Sequence, residues 1–521
     1  MKLTDKINPM EFEDKIDLFE EKTKEFYAGK MSQKDYKGFS GKYGSYAQRG
    51  AKANMLRLRM NGGRLTREKL KYVLDKTSQH DVRLLHFTTC QTIQMHNLSP
   101  EAAVDIMRDA LKAGIVCYGG GGDYPRNVMC SPLTGTEKGE YFDVMPYALA
   151  ASEFLIHFID AEKMPRKLKV AFSNSKANVS HATVRDLGFA ANENGTFDVY
   201  AAGGLGNNSR LGVEIAKNVD PSKVLYYIYA MIETFKKYGN YENRAKARTR
   251  YMVETLGGEE EFRKAYLAEL DKVTAENQID LTDVQPIVID KQPSDTLLEE
   301  SWFVLPQKQD GLYTVRWHPI GGSPDKEVLK KLYEAIEPMD QVEIRLSPEE
   351  TAYIINLNGD EALKVQDIIK EDAAKNPLES STSCIGASIC QVGLRDSQAL
   401  LTKIVRAVQE ADIADGALPQ IHISGCPSSC GTHQLAPLGF RGFLKMVDKK
   451  PHSSFVMYAF GNEADGQEKL AEELGNILED KIPEMIVELG KTVQDSGMNF
   501  KEWLAANPEA LKGLADKYAA D

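Results

Sequence analysis

The chain has 521 residues, with 64 Lys and Arg against 76 Asp and Glu, a net charge of −12 and seven cysteines. At about 150 residues per domain this length predicts several structural units, and the hydrophobic and charged fractions are those of an ordinary globular protein. The acidic balance argues against a protein that wraps nucleic acid or covers an anionic membrane.

The N-terminus and the cysteine count favour a cytoplasmic protein. The first residues lack the apolar core of a signal peptide, and the apolar run from Val224 to Ile232 is shorter than the roughly 18 residues that span a bilayer. An odd number of cysteines without a secretion signal argues against a disulfide framework. The cysteines are therefore expected to be ligands, reactive thiols or small buried side chains.

The first predicted elements are a helix over 10–26 and a Gly-, Ser- and Tyr-rich arm up to residue 50. Alternating and helical apolar patterns then predict a strand–helix–strand–strand–helix unit. Its strands are predicted over 55–60, 82–87 and 92–96, and its helices over 65–74 and 100–111.

The same unit is predicted a second time in the C-terminal half. The repeated strands fall at 313–317, 342–346 and 353–356, and the repeated helices at 325–336 and 360–369. Gly62-Gly63 and Gly321-Gly322 break the first strand of each copy at an offset of 259 residues. A nearly constant offset across six elements indicates an internal duplication. A longer α/β stretch follows each copy, over about 115–290 and 376–521, and a polar segment with Pro286 and Pro293 joins the halves.

Four of the seven cysteines form two pairs, Cys384-x5-Cys390 and Cys426-x3-Cys430. Structural zinc mostly uses closer C-x2-C pairs, whereas a larger [4Fe–4S] cube takes thiolates from wider loops. The spacing favours an iron–sulfur cluster, with a zinc site and unliganded core cysteines as alternatives. The other three cysteines are expected to be small buried side chains: Cys90, Cys117 and Cys130.

The second pair lies in a longer motif, Ile423-Ser-Gly-Cys426-Pro-Ser-Ser-Cys430-Gly, which continues as Leu435-Ala-Pro-Leu-Gly-Phe-Arg-Gly442. This motif resembles the signature of the sirohaem-dependent nitrite and sulfite reductases. In that family the two cysteine pairs hold a [4Fe–4S] cluster, and the last cysteine, which matches Cys430, is also the axial ligand of the sirohaem iron. The resemblance implies these metal ligands: Cys384, Cys390, Cys426 and Cys430.

The resemblance covers nearly the whole chain and implies an α+β fold duplicated about a pseudo-twofold axis. Two ferredoxin-like half-domains would be combined with two larger α/β domains that bind sirohaem and the cluster. The implied divisions are an N-terminal arm (1–50), the first half-domain (51–112), a sirohaem-binding α/β domain (113–290), a linker (291–310), the second half-domain (311–375) and a [4Fe–4S]- and sirohaem-binding α/β domain (376–521).

Basic residues that alternate along predicted strands are candidates for an anion site. Arg57 and Arg59 share one strand face, as do Lys167 and Lys169, and a solvated strand edge is the alternative for either pair. The resemblance implies that Arg57 and Arg126 bind the substrate anion and that Lys167 and Lys169 are catalytic lysines. Sulfite reductases of the family tend to carry lysine at the position of Lys169, whereas plant-type nitrite reductases carry asparagine, so Lys169 favours sulfite.

Two further segments resemble the family's sirohaem cradle, Phe87-Thr-Thr-Cys90-Gln-Thr-Ile-Gln94-Met-His96 and the glycine loop Ala202-Gly-Gly-Leu-Gly206. Where the family usually has arginines that contact sirohaem carboxylates, this chain has His86 and Cys90. Each lost charged hydrogen bond is expected to cost about 1.5–3 kcal/mol unless it is compensated. Two other histidines are expected to be structural, His422 and His433. The implied cofactor-binding residues are Arg59, Thr88, Thr89, Gln94, His96, Asn127, Arg166, Gly204 and Cys430.

No dinucleotide-binding motif is present between a strand and a helix, so electrons are expected from another protein. The resemblance implies ferredoxin, flavodoxin or a flavoprotein subunit as the donor. The basic segment Phe235–Tyr251 is interpreted as a solvated helix face, or as a surface that attracts an acidic donor. The predicted function is six-electron reduction of sulfite to sulfide, with reduction of nitrite to ammonium as the alternative and a non-catalytic iron–sulfur protein as a further one.

Overall fold

The computed structural model describes residues 3–159, 164–282 and 284–520. Its named strands form four sheets, one of four strands and three of five. Within the described residues, no helix is both long and apolar enough to cross a membrane.

The N-terminal segment packs onto the first sheet. After the 3-10 turn Pro9–Phe12, the helix Glu13–Tyr27 carries Phe19 into the core, where its ring lies 5.0 Å from that of Tyr43. The helix Gln33–Ser40 follows. The strand Ser45–Ala47 then pairs with the next strand of the chain, so the first sheet begins inside the segment predicted as an arm.

The first sheet is antiparallel, with the strand order Ser45–Ala47, Asn54–Leu58, Ile93–Leu98 and Leu85–Phe87. Two helices belong to the same unit, Arg67–Gln79 and Pro100–Lys112. The side chains of Thr66 and Ser99 accept from backbone N–H groups at their starts, which explains why each begins immediately after that residue.

The second copy repeats this arrangement, with the strand order Val304–Pro306, Leu312–Trp317, Ala352–Asn358, Glu343–Leu346 and Arg64–Leu65. Its helices are Lys326–Ile336 and Gly359–Ile369. The last strand of the sheet comes from the first half of the chain, and the first lies inside the segment predicted as a linker. The two copies share one hydrophobic core, in which the rings of Phe87 and Trp317 lie 6.0 Å apart.

Left-handed backbone conformations repeat between the two copies at the 259-residue offset. The same four places in each unit have positive φ: Gly62, Gly63, Gln91 and Asn97 in the first, and Gly321, Gly322, Glu350 and Asn356 in the second. Because non-glycine residues seldom adopt this conformation, the agreement shows that the predicted duplication is structural.

The two remaining sheets are also copies of each other. One has the order Met129–Cys130, Val170–Ser173, Leu187–Ala191, Phe197–Ala201 and Val213–Val219. The other has the order Thr382–Ser383, His422–Ser424, Leu438–Val447, Lys450–Ala459 and Glu472–Leu478. In each, the first three strands are parallel and the last two pair antiparallel. Each sheet has its own hydrophobic core.

Helices cover both large sheets. The first has Met145–Ile156, Val224–Tyr238, Tyr251–Leu256 and Glu259–Glu276. The second has Ser397–Glu410, Ile482–Asp495, Phe500–Ala506 and Pro508–Ala520. The short 3-10 turns besides Pro9–Phe12 are Gly41–Tyr43, Asn61–Gly63, Ala182–Val184, Pro221–Lys223, Arg244–Lys246 and Ile320–Gly322.

Candidate functional site

A cavity of about 840 Å³ is lined by residues from both halves of the chain. Its wall includes the strand ends of the first small sheet, the loop over 120–127 and the loops that carry the four paired cysteines. Its volume lies within the roughly 300–1,000 Å³ usual for cofactor and ligand sites. Every catalytic, cofactor-binding and metal-binding residue predicted from the sequence lines this one cavity.

The four paired cysteines meet at the cavity although the two pairs come from different loops. Cys426 is buried, Cys384 and Cys390 are half-buried and Cys430 is exposed. The Sγ of Cys384 accepts from the backbone N–H of Gly425 over 3.2 Å. Burial raises the pKa of the Cys384 thiol to about 12, so this group ionises at neutral pH only when a cation coordinates it.

Two glycines allow the cysteine loops to approach each other. A Cβ at Gly425 would lie 2.5 Å from the carbonyl oxygen of Arg395, and Gly386 has a φ of +74°. Across the described part of the chain, no three His, Cys, Asp or Glu side chains are arranged to hold a single metal ion. A cluster is a larger object than one ion, and its thiolate ligands stand farther apart.

The cavity is strongly basic in an otherwise acidic chain. Among the described residues, eleven lysines and arginines line it, against three acidic side chains, Asp123, Asp186 and Glu350. Because low-dielectric walls focus the field of these cations, the cavity favours anionic ligands.

Arg57 and Arg126 are held side by side at one wall. Nη1 of Arg57 donates to the carbonyl oxygen of Gly120 over 2.6 Å, and Nη1 of Arg126 donates to the same oxygen over 3.0 Å. Burial lowers the pKa of Arg126 to about 10, with Tyr46 opposing and Arg57 adding to the shift, so the guanidinium of Arg126 stays charged at neutral pH.

Lys167 and Lys169 enter the cavity just before the strand Val170–Ser173. The backbone N–H of Lys169 donates to Oδ2 of Asp186 over 2.9 Å. Burial lowers the pKa of both amines, and Arg248 lowers each of them further. Buried lysines with lowered pKa values exchange protons more readily than ordinary lysines do.

The residues predicted to form the sirohaem cradle line the cavity, and two of them donate hydrogen bonds to backbone carbonyl groups. Thr89 Oγ1 donates to the carbonyl oxygen of Cys430 over 2.7 Å, and Asn127 Nδ2 donates to that of Cys90 over 2.9 Å. The remaining ones also line the cavity: Thr88, Gln94, His96, Arg166 and Gly204.

Arg59 has its guanidinium bound to backbone carbonyls. Nη1 donates to Arg126 over 3.0 Å, and Nη2 to Tyr118 and Pro125, both over 3.3 Å. The side chain is 4% exposed. Its observed contacts therefore fix the loop that carries Arg126.

Cys90 departs from the expectation of a small core side chain. Cys117 and Cys130 are buried as expected, but Cys90 is half-buried and lines the cavity. Burial opposes ionisation of its thiol, but Lys169, Arg185 and Arg57 outweigh this effect and lower the pKa of Cys90 to about 6. The sequence places Cys90 beside no cation, so only the fold reveals this environment.

Histidines near the cavity are buried. Nε2 of His86 lies 3.5 Å from Oε1 of Glu350, which is itself buried. Nδ1 of His422 lies 2.9 Å from Oγ1 of Thr432, and burial lowers the pKa of His422 to about 4 and that of His433 to about 3.

Sequence reasoning missed several charged residues of the cavity. Arg244 and Arg248 belong to the basic segment interpreted as a solvated face or a donor surface, but both line the cavity. Arg244 Nη1 donates to Asp123 over 2.7 Å, and Arg248 Nη2 donates to Asp186 over 3.0 Å. Arg185 is another cavity residue that the sequence did not indicate. The acidic partners of Arg244 and Arg248 are 121 and 62 residues away in the chain, so no local pattern revealed these pairs.

Two family models match the chain. The nitrite/sulfite reductase ferredoxin-like half domain matches residues 46–113, and the nitrite and sulphite reductase 4Fe-4S domain matches residues 121–273.

Curated relatives carry both substrate names. The chain is 27% identical over 403 residues to the ferredoxin–nitrite reductase of Synechococcus elongatus, covering 74% of this chain and 76% of that protein. It is 24% identical over 496 residues to sulfite reductase [ferredoxin] 1 of Mycolicibacterium paratuberculosis, covering 89% and 84%. The chloroplastic ferredoxin–nitrite reductase of Spinacia oleracea is 25% identical over 408 residues, and the match spans 74% of this chain and 66% of that protein, just under two thirds.

The structure of the Mycobacterium tuberculosis NirA protein superimposes with a TM-score of 0.76 at 22% identity, covering 96% of this chain and 94% of that one. This likeness establishes the duplicated α+β fold. Fold, domain matches and relatives agree: the chain carries two domains of the nitrite and sulfite reductases, an oxidoreductase family whose cofactors are sirohaem and a [4Fe–4S] cluster.

The residues present fit these cofactors. Four thiols line one wall, as a cube requires, and the surplus of cations suits a tetrapyrrole rich in carboxylates. Among the described residues, several buried cavity atoms have no hydrogen-bond partner, including Nε of Arg126, Nη2 of Arg185 and Nε of Arg248. A buried donor without an acceptor costs free energy of folding, and an anionic group in the cavity would accept hydrogen bonds from these donors.

Proposed function

We propose that the protein is a sulfite reductase that transfers six electrons to sulfite and releases sulfide. The observation that carries this proposal is the presence of two arginines, two lysines and four cysteines on the wall of one cavity. A cluster-binding protein without catalysis would not need this group of cations next to the cysteine loops.

The cysteines are proposed as cofactor ligands. Cys384, Cys390, Cys426 and Cys430 would hold the [4Fe–4S] cluster, and Cys430 would also bind the sirohaem. When bound, sirohaem and the cluster would carry the donor's electrons and would provide the iron site for the reduction. The threonine, amide and arginine side chains of the cradle would fix the macrocycle.

The four basic residues are proposed to bind and protonate the anion. Arg57 and Arg126 present permanent charges that hold the oxygens of the anion in a fixed orientation. Lys167 and Lys169 have lowered pKa values, so either can give up a proton as an oxygen leaves as water. These roles require no movement of the backbone, because all four side chains already line the cavity.

Reduction of nitrite to ammonium is the second candidate. The curated relatives from Spinacia oleracea and Synechococcus elongatus are ferredoxin–nitrite reductases, and the same cations would bind nitrite. Lysine at position 169 supports sulfite, since the resemblance associates this position with lysine in sulfite reductases.

The proposed electron donor is a ferredoxin, as the names of several relatives state for those proteins. Flavodoxin and a flavoprotein subunit are the alternatives. Because ferredoxins are acidic, donor-dependent turnover should fall as salt screens the charges, whereas turnover with a small dye reductant should not.

Steady-state turnover with reduced methyl viologen tests the proposed function. The anaerobically purified protein is expected to show a Soret band, to consume six electrons per sulfite and to have the higher kcat/KM for sulfite. A higher kcat/KM for nitrite would select the second candidate. A protein with a cluster, no Soret band and no turnover would be the non-catalytic alternative.

A further inference from the structure

Arg185 is a buried cation that faces the cavity with part of its guanidinium unused. Its side chain is 4% exposed, and Nε donates to the carbonyl oxygen of Ser180 over 3.2 Å. Within the described residues, Nη2 has no hydrogen-bond partner. Burying an incompletely paired charge costs free energy, so such a group usually serves a ligand or a partner charge.

The neighbouring negative groups leave Nη2 of Arg185 without a hydrogen bond. Asp186, the next residue, accepts from the backbone N–H of Lys169 over 2.9 Å and from Arg248 over 3.0 Å. Cys90 and Glu463 act on Arg185 electrostatically, and Oε2 of Glu463 lies 2.7 Å from Nδ1 of His181. Among the described residues none accepts from Nη2 of Arg185, which is therefore left for an anion inside the cavity.

Arg185 and Cys90 lie near enough to act on each other electrostatically. Cys90 packs against the small apolar cluster that includes Ala182, and Arg185 directly follows the 3-10 turn Ala182–Val184 and closes it through a backbone hydrogen bond to Ala182. Both residues line the cavity. Cys90 stands where the resemblance expects an arginine that contacts a sirohaem carboxylate, and neither a thiol, which is a weak donor, nor a thiolate can replace that guanidinium.

We propose that Arg185 binds a sirohaem carboxylate and supplies, from a different strand connection, the guanidinium that the cradle lacks at Cys90. This inference rests on the sirohaem of the proposed function. Arg185 is far from position 90 in the sequence but lines the same cavity, so it partly restores the number of cations around the macrocycle. Arg185 is a binding residue for the cofactor and takes no part in proton transfer.

Retention of sirohaem by the full-length protein tests the proposal. Four variants are compared with the unmodified chain: R185Q, R185Q/C90R, C90S and the control R210Q, in which the removed arginine pairs with Glu259 outside the cavity. Sirohaem per chain and its dissociation rate are measured from the Soret band, and acid-labile sulfide measures the cluster. R185Q removes the charge and keeps a polar side chain, and intact sulfide content shows that the variant has folded.

R185Q is expected to bind sirohaem roughly 10- to 100-fold more weakly with its cluster intact, as loss of one charged hydrogen bond implies. R185Q/C90R is expected to regain most of the affinity, while C90S and R210Q retain it. The rescue distinguishes a carboxylate contact from a general structural role.

Three results would overturn the proposal. The first is unchanged sirohaem retention in R185Q, and the second is no recovery of retention in R185Q/C90R. The third is a loss of sirohaem in C90S equal to that in R185Q, which would make the Cys90 thiolate the group on which sirohaem binding depends. A raised sulfite Kd with normal pigment retention in R185Q would assign Arg185 to the substrate and would also contradict the proposal. Wild-type protein that holds sirohaem but reduces neither anion would refute the proposed function alone.

Discussion

Arg57 and Arg126, 69 residues apart in the sequence, donate to the same carbonyl oxygen of Gly120, over 2.6 and 3.0 Å. One backbone dipole thus holds two like charges at the same wall. Such a pair repels itself in a buried site, and an anion between or beside the two groups relieves the repulsion. A Cβ at position 120 would lie 2.7 Å from the carbonyl oxygen of Cys117, so glycine is required for this close packing.

Replacing Arg126 with glutamine should lower kcat/KM for sulfite and for nitrite by about 10²–10³, because one preorganised cationic donor is lost. Steady-state assays with reduced viologen measure the change, and the Soret band confirms cofactor content. R108Q is the matched control, since Arg108 pairs with Asp17 and Glu20 on the surface. A change below threefold in R126Q with full cofactor content would contradict a role in anion binding.

Replacing Cys426 with serine should abolish the cluster, because one of four thiolate ligands is removed. Iron and acid-labile sulfide per chain are expected to fall close to zero. C117A is the control: Cys117 is buried in the shared core of the small sheets, away from the cavity wall, so its cluster content should match the wild type. Zinc in place of iron and sulfide in the wild-type protein would instead favour the zinc alternative.

Activity should fall with rising pH at a value below the ordinary lysine pKa of 10.5. Burial lowers the pKa of Lys169, Cys90 opposes the shift and Arg185 and Arg248 add to it. The protonated amine is the form that binds the anion and donates, and it is lost as pH rises through this lowered value. In K169R the group stays charged, so the alkaline limb of kcat/KM should move to higher pH even if the maximum is lower. An identical alkaline limb in both proteins would show that another group titrates.

Replacing Asp186 with asparagine should destabilise the first large domain by about 3–5 kcal/mol, because Arg248 would lose its buried counter-charge. Asp186 is fully buried and accepts from Lys169, Arg248 and Thr249. Urea unfolding followed by circular dichroism measures the change. D280N, which breaks a partly exposed pair with Lys223, should unfold close to the wild-type midpoint.

Stability should fall as pH drops below about 6.5, in part because of His318. Burial lowers the pKa of His318 from 6.5 to about 3. Between pH 6.5 and about 3, the unfolded chain therefore binds a proton that the folded chain excludes. Each such histidine costs about 1.4 kcal/mol per pH unit in that window. The urea midpoint between pH 7.5 and 5.5 should depend less on pH in H318Q than in the wild type. H452Q, at an exposed position, should keep the wild-type slope.

Local patterns in the sequence determined the repeated units and the two cysteine loops. The apolar spacing and the glycine pairs at 62–63 and 321–322 predicted two copies of one unit, and the strands and helices fall within a few residues of those predictions. The cysteine spacing identified the two loops that meet at the cavity. These features are readable because hydrophobic periodicity and turn chemistry act over a few neighbouring residues.

Tertiary structure alone decided which charges face one another. Arg244 and Arg248 looked like part of a solvated basic segment until their pairing with Asp123 and Asp186 placed them on the cavity wall. Arg185 has no sequence signal at all, and Cys90 became distinctive only through the cations packed around it. Electrostatic energy depends on distance and burial, which the fold sets between residues far apart in the chain, so the sequence could specify the two cysteine loops but not the electrostatic environment around them.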